Sequence, residues 1–132
     1  MKYYAKLDKN NIVLSAITLA DDIGANEAED IKYLTETYGW SNWKRTYRDE
    51  KPNPRLNYAT SPSHKYDPVG DRFIASTKPY DSWVFNESTG KYDPPIPMPT
   101  KIVDGFPILY TWNEAAQTWE HGPIVHADGT SE

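Results

Sequence analysis

The chain opens KYYAKL-DKNN-IVLSAITL, two apolar-rich runs with strand periodicity on either side of a short polar run. Side chains alternate between faces along a strand, so Tyr3, Ala5 and Leu7 share one face and Tyr4 and Lys6 the other. Asp8, Lys9, Asn10 and Asn11 supply turn chemistry, because Asn and Asp accept positive φ more readily than most residues. The pattern predicts a β-hairpin in which Leu7 pairs with Ile12, Ala5 with Leu14 and Tyr3 with Ala16. That register makes one continuous apolar face and leaves Tyr4, Lys6, Val13, Ser15 and Ile17 on a mixed face.

Period changes after Ala20. Ile31, Leu34 and Tyr38 recur at helical spacing, with Ile23 placed to staple the start. Asn26 is an N-cap residue, Glu27, Glu29 and Asp30 suit the positive end of a helix dipole, and Gly39 is a natural residue just past the last turn. The spacing predicts a helix over residues 27–38. Trp40 to Tyr47 then reads as a strand returning to the hairpin, which makes residues 1–50 a small ββαβ unit.

All eleven prolines lie at or beyond Pro52. Proline lacks a backbone donor and fixes φ, so residues 51–132 should form turns, short edge-like strands and extended stretches. A weak repeat runs through them. Tyr66-Asp67, Phe85-Asn86 and Trp112-Asn113 are each followed by a polar turn and a second ring, at Phe73, Tyr92 and Trp119. Rings so placed can meet across a hairpin, and three copies predict a meander of short hairpins. Pro94 to Pro99 (PPIPMP) is too proline-rich for a sheet interior and is expected to be an extended connector. The class expected is therefore mainly β (α+β): a ββαβ unit and then a proline- and aromatic-rich arm. Residues 94–109 and the last several residues should draw their order mainly from neighbours, since such segments bury little apolar surface to offset ordering entropy.

Composition narrows the chemistry. A mean hydropathy of -0.77 leaves a modest core, and rings supply much of it, since Phe, Trp and Tyr make up 14% of the chain. Tyr and Trp tolerate half-wet positions because each carries a polar handle, so the chain reads as a contact surface on a thin scaffold. The net charge is -5 with no Lys/Arg stripe, which argues against phosphate-driven nucleic-acid binding. The absence of cysteine excludes a disulfide scaffold, a thiol nucleophile and a Cys-ligated zinc. No apolar run approaches the ~18 residues of a membrane span, and the opening turns polar before a signal-peptide core can form.

No catalytic constellation stands out. His64 has no recognisable base or nucleophile context, and His121 and His126 lie in a polar tail; a metal site from those two with Asp128 would need a geometry that chain ends rarely hold. The acidic run Asn26–Asp30 suggests a cation site, but a solvated helix N-terminus explains it as well. Asn86-Glu87-Ser88 matches a glycosylation sequon and equally a turn. No metal and no cofactor are expected. The candidate binding residues are Tyr80, Trp83, Tyr92, Tyr110, Trp112 and Trp119. They suit a sugar-stacking platform or, with no convergent polar groups beside them, rings that close their own hairpins and pack on another protein.

Beyond these patterns, a set of motifs recurs in order along the chain. They include Tyr4-Ala5-Lys6-Leu7-Asp8, Asn57-Tyr58-Ala59, Tyr66-Asp67, Asp71-Arg72-Phe73-Ile74, Lys78-Pro79-Tyr80 and Ser82-Trp83. Asn86-Glu87, Tyr92, the run 94–99 and Trp112-Asn113-Glu114 with Trp119 complete the set. Together they resemble small virion or tail-associated structural proteins of tailed bacteriophages, especially phages of marine cyanobacteria. The chain departs from that pattern at Ser61-Pro62-Ser63-His64, where a glycine-rich link is expected, and at Lys101–Leu109, which reads as an insertion. The resemblance implies a virion protein without enzymatic turnover: a capsid decoration or tail/baseplate accessory. Its implied partners are other phage structural proteins, engaged in multiple copies, with neither nucleic acid nor membrane. Two alternatives remain open: a receptor- or carbohydrate-binding module of a tail fibre, and a tail fibre assembly chaperone.

Overall fold

The computed structural model describes residues 1–124, 126 and 129. The fold is mainly β with one helix. Strands β1 (Lys2–Leu7), β2 (Val13–Leu19) and β3 (Trp43–Thr46) form an antiparallel sheet in the order β2-β1-β3, and helix α1 (Glu27–Tyr38) lies between β2 and β3 in sequence. The expected ββαβ arrangement is present, but the hairpin register differs from the one read off the apolar pattern. Ala5 pairs with Ala16, Tyr3 with Thr18 and Leu7 with Val13, with an irregularity between Lys6 and Leu7. The cause lies in the turn. Asn11 takes φ 64, and Asp8 Oδ1 accepts from the N–H groups of Asn10 and Ile12. The loop therefore absorbs Ile12, and Leu14, unpaired at the irregularity, is exposed rather than in the core.

Both ends of α1 form as their residues dictate. Asn26 Oδ1 accepts from the Glu29 N–H at 2.9 Å, and Gly39 adopts φ 67 while its N–H closes on the Thr35 carbonyl. A Cβ at residue 39 would meet no neighbour, so only its positive φ resists a side chain. Replacing Gly39 with Ala should cost about 1 kcal/mol in urea unfolding. No change there would mean the cap contributes nothing.

Strand β1 is covered on both faces. On one, Tyr4 packs with Leu19, Leu34 and Trp43 under the helix. On the other, Ala5 and Leu7 pack with Val13, Ala59, Tyr66 and Phe73. The last two come from a second hairpin, β4 (His64–Asp67) with β5 (Arg72–Ala75). Residues 55–59 are held by specific bonds: Thr46 Oγ1 accepts from the Ala59 N–H, and Asn57 Nδ2 donates to the carbonyls of Phe73 and Thr89. The compact unit consequently runs over residues 1–77 with 86–91. It does not stop at residue 50, where the first proline marks a change of composition but not of packing.

A second unit comprises residues 78–85 and 92–132. Here β10 (Thr111–Asn113) pairs with β11 (Thr118–Glu120), and β8 (Ile102–Val103) with β9 (Phe106–Pro107). Strand β6 (Val84–Asn86) pairs with β7 (Lys91–Asp93). Residues 94–99 contain neither helix nor strand. Within the stretch Lys101–Leu109 lies a tight hairpin. Asp104 and Gly105 take φ 51 and 81, the two positive values that a two-residue turn between twisted strands requires. The expectation that the last residues depend on neighbours falls largely outside the described residues.

Candidate docking surface

The repeated ring pairs meet as their spacing predicts. Tyr66 and Phe73 have centroids 5.6 Å apart, Phe85 and Tyr92 5.2 Å, and Trp112 and Trp119 5.1 Å, each edge to face. Tyr66 is directly opposite Phe73, and Trp112 directly opposite Trp119. One turn design serves all three copies. The residue after the first ring caps the loop: Asp67 Oδ1 accepts from the Val69 N–H, Asn86 Oδ1 from Ser88, and Asn113 Oδ1 from Ala116. Four residues further on the chain turns left-handed, at Asp71 (φ 50), Gly90 (φ 70) and Gln117 (φ 52). Gly90 is hemmed in, since a Cβ there would lie 3.1 Å from the Phe73 carbonyl oxygen.

Of the six candidate binding residues, four converge. Trp83 is the hub of the second unit, with its ring 5.5 Å from Tyr80, 6.1 Å from Trp112 and 6.2 Å from Trp119. Tyr92 is not part of this cluster and pairs with Phe85, and Tyr110 stacks edge-on with His121 at 5.4 Å. Glu114 pins the cluster. Its carboxylate accepts from the Ser82 hydroxyl and N–H and from Trp112 Nε1. Those bonds, led by the Ser82 hydroxyl, hold its pKa below the usual carboxylate range. Trp119 Nε1 donates to the Ile96 carbonyl at 2.8 Å, which ties the proline-rich strap to the ring. Trp83 Nε1 is enclosed without an acceptor. Between strap and rings lies a groove of about 520 Å³, walled by Trp83, Trp119 and Pro94, Pro95 and Pro97. Met98 and Asp93 complete its lining.

The polar clusters of the first unit are structural. The run Asn26–Asp30 is a solvated helix end at Asn26, Ala28 and Glu29 but not at Asp30. Asp30 is buried and accepts from Lys2 Nζ at 2.9 Å and from the Tyr4 hydroxyl at 2.6 Å, while Lys2 also donates to the Gly24 carbonyl. Burial first, and then this bond to Asp30, push the Tyr4 hydroxyl pKa far up. Glu27 receives Arg55 Nη1 at 2.6 Å and the Arg45 N–H at 2.8 Å. Arg55, itself nearly buried, also donates through Nε to Asp71 at 2.8 Å, and Asp71 accepts from the Tyr66 hydroxyl. Tyr66 is thereby pushed up to about 12, by burial and by that bond. Among the described residues no group of three or more His, Asp or Glu could hold a metal ion. His126 sits 3.3 Å from Asp104, His121 beside the Gly122 carbonyl, and Asp128 lies outside the described residues.

This wiring gives the first unit a signed pH dependence. Burial pushes Glu27 up, but its bonds from Arg55 and Arg45 outweigh that and leave it lowered. Asp71 is lowered first by the Tyr66 hydroxyl, and Asp67 first by Arg72. Burial lowers His64. Groups lowered in the folded state stabilise it above their unfolded pKa and lose that contribution as pH falls. Stability should begin to fall below about pH 6.5 as His64 is charged, and more steeply below about pH 4 as the carboxylates are protonated. Urea midpoints from pH 8 to 3 should trace this two-stage loss, and a midpoint that rises on acidification would contradict the assignment.

No family model, no curated protein and no solved structure matches the chain.

Proposed function

We propose that the chain is a non-enzymatic structural component of a tailed-bacteriophage particle, a capsid decoration or tail/baseplate accessory that works by docking onto other proteins. The observation that carries this reading is where the second unit leaves its apolar side chains. Ile102, Phe106 and Leu109 are 68%, 71% and 85% exposed, on or just beyond a hairpin whose strands are two residues each. A hairpin that short is marginally stable at best in water, and its register sets Ile102 and Phe106 on opposite faces, so apolar side chains that could dock are exposed on both. Of the six rings, Trp112 is buried, Trp83 and Trp119 are half-covered within their own cluster, and Tyr80 is 38% exposed. The motif resemblance supplies the phage setting. No helix among the described residues is long and apolar enough to cross a membrane.

The sugar-stacking alternative is less well supported. The indole N–H groups of Trp112 and Trp119, and the Glu114 carboxylate, are already committed to internal bonds. Mass spectrometry of purified particles tests the leading reading. Peptides of this chain should be present in a fixed ratio to the major particle proteins. Recovery from infected-cell lysate but not from particles would replace this reading with the assembly-chaperone one. The double substitution Phe106→Ser and Leu109→Ser should abolish incorporation while leaving the unfolding transition in place.

A further inference from the structure

The ionisable residues divide unevenly between the two units. Residues 78–85 and 92–132 carry two basic residues, Lys78 and Lys101, against seven acidic ones, so this unit has the chain's entire net charge of -5. The first unit is electrically balanced. The groove of about 520 Å³ lies wholly within the acidic unit, and Asp93 is the one ionisable residue among those lining it. Its walls are two indoles, three prolines and the flexible thioether of Met98, which is half exposed.

We infer that this groove receives an arginine or lysine side chain presented by a basic segment of another particle protein. The inference rests on the docking reading and names the chemistry of the partner. Three features of the groove fit that guest. An indole face carries negative quadrupole density and attracts a cation within about 6 Å of the ring centroid, Trp being the strongest ring for this and Arg the commonest cation. The methylene stem of Arg or Lys is apolar and covers well against proline, Met and indole while its head stays polar. The field of a unit with a net charge of -5 then steers a basic segment toward the groove. A neutral apolar ligand would use the walls alone and leave the charge imbalance without a role.

The test uses the intact chain with nitrogen-15 in its indoles, assigned from single Trp→Phe variants. It is titrated with n-butylguanidinium chloride and, in parallel, with n-butanol as the neutral ligand of equal chain length. The cation should move the Trp83 and Trp119 Nε1–H signals saturably, and n-butanol should move them several-fold less at equal concentration. Asp93→Asn, at an exposed position, should raise the half-saturation concentration about threefold, as loss of an exposed charge pair does. Added salt should weaken cation binding in the same direction. Equal responses to the two ligands, or no saturable response to the cation, overturn the inference. Should the protein be present in purified particles while its groove ignores the cation, the docking reading stands and this inference fails. Cation binding by a chain absent from particles would give the reverse result.

Discussion

Replacing Asp30 with Ala should cost about 3–5 kcal/mol of unfolding free energy, the largest loss expected from one polar side chain in this protein. The Asp30 carboxylate is 1% exposed and is the acceptor for both the Lys2 ammonium and the Tyr4 hydroxyl. Truncating it leaves a buried cation facing only the Gly24 carbonyl and a buried hydroxyl without its acceptor. The energetic asymmetry supplies the check. A buried ion pair gains little over an apolar pair of similar size, yet breaking one half of it is expensive. The combined substitution Asp30→Leu with Lys2→Met should therefore recover much of the loss seen in Asp30→Ala alone. If the double variant were as unstable as the sum of the single ones, the pair would not be acting as a unit.

A chain ended after Glu50 should fail to unfold cooperatively, although it retains the whole ββαβ arrangement. Ala59, Tyr66 and Phe73 form one wall of the core around Ala5, Leu7 and Val13, and all three lie beyond residue 50. Removing them exposes the second face of β1. Phe73→Ala in the full chain probes the same wall less drastically. Phe73 is fully buried, so the substitution should cost about 3–5 kcal/mol from lost transfer energy and the cavity left behind. Amide-exchange protection of β1 should fall in step. A stable, cooperative 1–50 fragment would show that the second hairpin is an appendage and not part of the core.

What could be read from the sequence follows the range of the interactions. Helix α1 begins and ends where Asn26 and Gly39 place it, because caps and apolar spacing act within a few residues. The ring pairs were legible for the same reason: a capping Asp or Asn, a turn and a second ring all fall within one loop. The β1–β2 register was not, because the left-handed Asn11 moves Ile12 out of the ladder, a bulge leaves Leu14 unpaired, and the apolar pattern carries no trace of either. Asp30 and Arg55 were missed more completely. In sequence Asp30 looks like a solvated first-turn acid, and its partner Lys2 lies 28 residues away. Arg55 is one of many surface-looking cations, until Glu27 and Asp71 arrive from distant parts of the chain. The Asp104-Gly105 hairpin is a different case. Its signal was local and strong, two turn residues between Val103 and Phe106, and the surrounding prolines obscured it.

Strand β1 is synthesised before every element that covers it, and it occupies the middle of its sheet, with β2 and β3 at its edges and a layer on each face. Its hairpin partner follows at once, and hairpins close in ~1–10 μs. Its remaining cover arrives far later: Trp43 and β3 on one edge, and Phe73, 66 residues beyond Leu7, on the open face. At ~5–20 residues per second, translation takes ~3–13 s to travel that distance. A nascent hairpin with apolar side chains on both faces thus waits for seconds beside the ribosome. During that interval β1 and β2 are the segment on which chaperones, or other copies of the same hairpin, have the longest time to act.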